Sequence, residues 1–157
     1  MRLSLPGTKV AALALAGSLA VPAPMVSAAD QFTNVKLMVN TGGKAEEQEA
    51  VLRLEDESLV ILSKGGTALK TLRYDTMKSM EYSYSKSPRW KSGTAAAIAV
   101  GVFAIPIFFM KGKKHWLTVV SGNEFAVIRL DKNNYKIVLP ALEARSGLKV
   151  ETVAEEK

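Results

Sequence analysis

Residues 93–110, GTAAAIAVGVFAIPIFFM, run for 18 positions without a charged or strongly polar side chain, in a chain of 157. A stretch of this length and apolarity lies at the threshold of a transmembrane helix. A chain that carries it must either give it to lipid or build a core around it. The flanks narrow the choice. Lys86, Arg89 and Lys91 precede the stretch; Lys111, Lys113 and Lys114 follow it, with His115 beside them. No acidic residue lies between Glu81 and Glu124. Trp90 and Trp116 bracket the stretch, as interfacial anchors do at a membrane surface.

A second apolar run sits near the start. Arg2 and Lys9 are followed by VAALALAGSLAV (residues 10–21), then Pro22, Pro24 and the small residues Ser27, Ala28 and Ala29. A basic start, a short apolar stretch and a small-residue site form the pattern of an export signal, too short for a span. Residues 1–29 are read as a signal peptide, which points to an exported bacterial protein in the periplasm or on the outer face of a membrane. Removing them takes the net charge from +6 to +4, because only Arg2 and Lys9 leave. Without the six basic residues around the apolar stretch the remainder would be negative. The basic character is therefore one local patch.

The composition leaves little room for catalysis. With no cysteine and one histidine, thiolate nucleophiles, thiolate metal sites and multi-histidine metal sites are excluded. Gly42-Gly43-Lys44 lacks the spacing of a phosphate-binding P-loop and reads as a turn. Glu46, Glu47, Glu49, Glu55, Asp56 and Glu57 lack the alternating Asp and Gly pattern of a calcium loop and read as a solvated face. No catalytic, cofactor-binding or metal-binding residue is assigned. His115, next to lysines, is expected to resist protonation.

Most of the remaining chain alternates with period two, the mark of half-buried strands. Val35, Leu37 and Val39 alternate, then a turn follows at 41–44, and 45–50 is polar and acidic. Leu52 and Leu54 alternate before the turn Asp56-Glu57-Ser58, and Leu59 to Leu62 reads as a buried strand. A turn at 64–67 leads to a strand over 68–74. Met80, Tyr82 and Tyr84 alternate cleanly and predict core or half-core positions. Residues 116–120 and 125–130 form another hairpin around Ser121-Gly122-Asn123. The period then changes: Asp131 is placed to cap a helix with Tyr135, Val138, Leu139 and Leu142 on one face, and Gly147 to end it. Pro140 predicts a kink or restart. Residues 148–153 read as a short returning strand, and 155–157 as a frayed tail.

Successive meander hairpins, the passage LRYDTMKSMEYSYSK and a final helix opened by LDKNNY resemble the pleckstrin-homology-like superfold, including its bacterial and GRAM-type members, over about residues 50–146. The resemblance implies a mainly β (α+β) single domain over 30–154. It would be a barrel or sandwich of about six or seven antiparallel strands with a C-terminal helix. An apolar, basic-flanked insertion over 87–114 interrupts it. Taking Asp56-Glu57-Ser58 as the first hairpin loop, its acidity argues against inositol-phosphate recognition there.

Three arrangements of the insertion are open. A membrane-dipping hairpin, broken at Gly101 or Pro106, leads; a single span and a soluble core or partner-binding segment follow. A single straight helix would run about 27 Å, barely the hydrocarbon core, and would divide the strands between two sides of the membrane. The leading reading is a non-catalytic binding or scaffolding module held on a membrane. Its lipid-contacting residues are Trp90, Ala97, Val100, Val102, Phe103, Ile105, Ile107, Phe108, Phe109, Met110 and Trp116. Its anionic-headgroup contacts are Lys86, Arg89, Lys91, Lys111, Lys113 and Lys114. The partners are anionic lipids and a further envelope protein, with no nucleic acid. The alternatives are a single-pass subunit of an envelope complex and a lipid-binding or transfer protein.

Overall fold

The computed structural model describes residues 29–42, 44–89 and 111–154. It holds eight strands: β1 (Asp30–Thr41), β2 (Lys44–Leu54), β3 (Ser58–Ser63), β4 (Ala68–Arg73), β5 (Met77–Ser85), β6 (Lys114–Ser121), β7 (Glu124–Leu130) and β8 (Val150–Thr152), with helix α1 (Tyr135–Ser146) between β7 and β8. They form one sheet in the order β4-β3-β2-β1-β7-β6-β5-β8. The mainly β expectation with a late helix is met. The count and the sense are corrected: among the described residues there are eight strands, and β8 runs parallel to β5 through Met80↔Val150 and Tyr82↔Thr152.

The two meanders, β1 to β4 and β5 to β7, join where β1 meets β7 at Lys36↔Arg129 and Leu37↔Ile128. The far ends also approach each other. Lys70 of β4 donates from Nζ to the Phe125 carbonyl at 2.6 Å, Ser121 Oγ donates to the Arg73 carbonyl at 2.9 Å, and the Gly122 amide to the Thr76 carbonyl at 2.8 Å. The turn leading into β5 is thereby fastened to the tip of the β6–β7 hairpin.

The inner face carries the core: Leu52, Leu54, Leu59, Ile61, Leu72, Met80, Leu117, Val119 and Ile128, with Val138 and Leu142 of α1 packed among them. Helix α1 follows the predicted face. Asn134, not Asp131, is its N-cap residue, and Asp131 instead accepts the Tyr135 amide through its carbonyl. Gly147 ends the helix in the left-handed conformation at φ 72°, and its amide bonds the Glu143 carbonyl. The helix runs through Pro140 without a restart. The proline's missing N–H would have met the carbonyl of Lys136. Both residues are exposed, so water can satisfy that carbonyl.

The polar stretch 45–50, given no strand by its sequence, is the first half of β2 and pairs with β1 from Leu37↔Gln48 to Thr41↔Lys44. The sheet therefore begins at Asp30. The first hairpin loop is 41–44, and Asp56 and Glu57 occupy the second. The acidity of that second loop carries no information about ligand binding at the first.

The opposite face of β5, β6 and β7 is buried too. Cross-strand partners share a face, so Glu81↔Thr118, Ser83↔Trp116, Thr118↔Val127 and Val120↔Phe125 define it. All seven residues are 2% exposed or less. Helix α1, the one helix among the described residues, packs on the other face.

Candidate functional site

The end of β5 and the start of β6 position the site. Ser85 pairs with Lys114, Tyr84 with His115 and Ser83 with Trp116. The described chain on either side of the apolar stretch thus leaves and returns at one edge of one sheet. Paired strands lie about 5 Å apart. A hydrogen-bond relay fixes this end: Ser85 Oγ donates to the Ser87 carbonyl at 2.5 Å, and the Trp116 indole N–H donates to the Ser85 carbonyl at 3.0 Å.

Lys86, Arg89, Lys111 and Lys113 are exposed around this edge, and Lys114 is half-buried. Trp116 is corrected. At 1% exposed it offers no surface to a bilayer, and its indole is spent on Ser85. Its place beside a run of apolar residues suggested an anchor; its place on a strand buried on both faces makes it core. Trp90, Lys91 and the apolar residues from Ala97 to Met110 lie outside the described residues, as do the expected leader through Ala28 and the tail 155–157. Among the described residues no helix is long and apolar enough to cross a membrane.

The same edge carries an aromatic stack that sequence reasoning did not assemble. Tyr82 and Tyr84 of β5 and His115 of β6 point to the inner side, beyond the last packed core residue, where Tyr135 at the start of α1 meets them. The His115 ring lies 3.9 Å from Tyr135 and 4.7 Å from Tyr84 between centroids, and Tyr82 stacks beside Tyr135 at 5.8 Å. Tyr82 is half-buried as expected; Tyr84, 51% exposed, is not core. The Tyr82 hydroxyl meets His115 Nδ1 at 2.7 Å. Burial, reinforced by Tyr135 and Tyr84, pushes that phenol up to about 12, so it stays protonated. A phenol is a better donor than acceptor. We therefore assign its hydrogen to the bare Nδ1, which leaves the imidazole hydrogen on Nε2. His115 titrates below its ordinary value, as expected, though for another reason: burial is the leading cause, opposed by Asp131.

Beside the stack lies a cleft of about 240 Å³ bordered by Tyr84, Lys113, Lys114, His115, Arg129 to Lys132. Arg129 is held by Glu47 at 2.5 Å, and Glu47 also pairs with Lys36 at 3.4 Å. Among the described residues no group of three or more potential ligands is placed to hold a metal ion.

No family model matches the chain, and no curated protein does. Among solved structures it is similar to the Spt16D Pob3N heterodimer, with 9% identity and a TM-score of 0.49 over 83% of this chain and 56% of that one. The match spans little more than half of that chain, and a likeness of this order assigns neither family nor activity.

Proposed function

We propose that this protein is an exported, non-catalytic binding or scaffolding module with a pleckstrin-homology-like barrel, held on a membrane surface by its apolar segment and the basic residues around it. The strand order, with two meanders joined through β1 and β7 and a helix on the inner face, supports the barrel reading. The observation that carries the attachment reading is the Ser85↔Lys114 pairing. It brings Lys86 and Arg89 to the same edge as Lys111, where one anionic headgroup layer can meet them all. A single straight crossing would part its ends by about 27 Å, which sits poorly with strands paired side by side.

A second reading is favoured by the buried outer face. Trp116, Val120, Phe125 and Val127 are shielded there, with α1 on the other side of the sheet. On that reading residues 93–110 cover this face as an internal core. Replacing Gly93–Met110 by a short Gly/Ser linker separates the two. A cooperatively folding protein that no longer sediments with membranes supports attachment. Loss of the folded state supports the core reading.

A further inference from the structure

The cleft beside the aromatic stack draws its cations from separate stretches of chain. Lys113 and Lys114 come from the entry to β6, and Lys132 from the turn between β7 and α1. Their convergence is therefore made by the fold. Like charges gathered around one small concavity repel each other, and a bound anion relieves that repulsion. Among the charged residues on the lining, Arg129 is bound to Glu47. Asp131, the one acid, accepts the Asn133 amide at 2.8 Å within its own turn. One flank is flat and apolar: the exposed Tyr84 ring stacked on His115. Tyr82 occupies Nδ1 of that imidazole, and with the Tyr82 hydrogen assigned to that contact, Nε2 is the ring's donor. At about 240 Å³ the space falls below the range of pockets that hold drug-sized ligands, about 300 Å³ and upward, and suits a headgroup-sized anion.

We propose that this cleft binds a phosphate-bearing group through Lys113, Lys114 and Lys132, with the Tyr84–His115 pair as its flat flank. The inference deepens the membrane-surface reading and rests on it for its preferred ligand, the phosphate of an anionic lipid headgroup. A soluble phosphate monoester carries the same chemistry. The ammonium groups bind the phosphate oxygens by charge-assisted hydrogen bonds, and the aromatic flank packs against the apolar part of the ester.

The chain's single histidine makes the test direct. The His115 ring resonances of the full chain are followed by NMR at constant ionic strength during titration with glycerol 3-phosphate. In parallel arms the titrant is phosphatidylglycerol vesicles or phosphatidylcholine vesicles. A saturable shift with glycerol phosphate or with anionic vesicles alone is expected. Response to vesicles only assigns the lipid as the source; response to glycerol phosphate shows that a free ester suffices. Lys132→Ala, at an exposed turn position, should weaken the response about fivefold. Lys149→Ala, an exposed lysine outside the cleft, should leave the His115 response to glycerol phosphate unchanged. A His115 signal that fails to move, or moves linearly and equally with chloride, overturns the cleft. If anionic vesicles bind while His115 stays silent, the cleft fails and the attachment reading stands. If glycerol phosphate saturates and no vesicle binds, the reverse holds.

Discussion

Neutralising Lys86, Arg89 and Lys111 together should sharply weaken binding to anionic membranes. All three are exposed at the edge set by the Ser85↔Lys114 pair, and none lines the phosphate cleft. Their loss therefore removes charge without removing packing. A basic side chain at an anionic surface is worth about 1 kcal/mol, so the triple Gln variant should lose about 3 kcal/mol, roughly 150-fold in partition coefficient at low salt. Screening contracts from a Debye length of about 10 Å at 0.1 M salt to about 3 Å at 1 M, and the difference between variant and parent should shrink with it. Co-flotation with vesicles of 30% phosphatidylglycerol, against pure phosphatidylcholine, at two salt concentrations measures the effect. Equal binding of the parent to both vesicle types, or a variant indistinguishable from it at low salt, would refute the electrostatic part of the account.

Leu142, fully buried where α1 meets the sheet, should cost about 2–5 kcal/mol on truncation to Ala, read as a lowered denaturant midpoint. Trp116→Phe leaves the Ser85 carbonyl without its indole donor in a buried site and should cost about 1–3 kcal/mol, with no direct effect on vesicle affinity. His115 faces Tyr82, Tyr84, Tyr135 and Asp131, and its folded value lies below that of the unfolded chain. The unfolded state therefore takes up the proton first, and stability should fall as pH drops through about 6.5 toward the folded value. His115→Gln should flatten that segment of the stability curve, a change read by urea titrations at pH 5, 6 and 7.

The parts of the fold visible in the sequence are those set locally. The β2–β3 and β6–β7 hairpins announce themselves by alternation and turn residues, and Gly147 marks the helix end because its position requires a left-handed backbone. What escaped is tertiary. The acidic start of β2 has no apolar alternation of its own. It is a strand because β1 pairs along it and because Lys36, Lys64 and Arg129 meet Glu47 and Glu49 across it. Those exposed or half-exposed pairs select register more than they add stability. Trp116 reads as an anchor while only its sequence neighbours are known. Its burial follows from a strand covered on both faces, which no period reveals. The stack of Tyr84, His115 and Tyr135 joins three chain segments. Its one sequence signal, the Tyr82 and Tyr84 alternation, gave the strand but not where the core would end.

The measurement that bears most directly on the attachment claim is the accessibility of the two sides of the apolar segment. Ser87 is buried and Gly112 sits at φ 78°, so neither suits a probe. Lys86 and Lys111 are exposed, and the chain has no native cysteine to compete. Single Lys86→Cys and Lys111→Cys variants, expressed with the full chain, are treated with a membrane-impermeant thiol reagent before and after permeabilisation. If the segment leaves and re-enters one membrane face, both label from the periplasmic side without permeabilisation, and to the same extent. Labelling of one only after permeabilisation would place the flanks on opposite sides, contradicting both the surface attachment and the paired β5–β6 edge on which it rests.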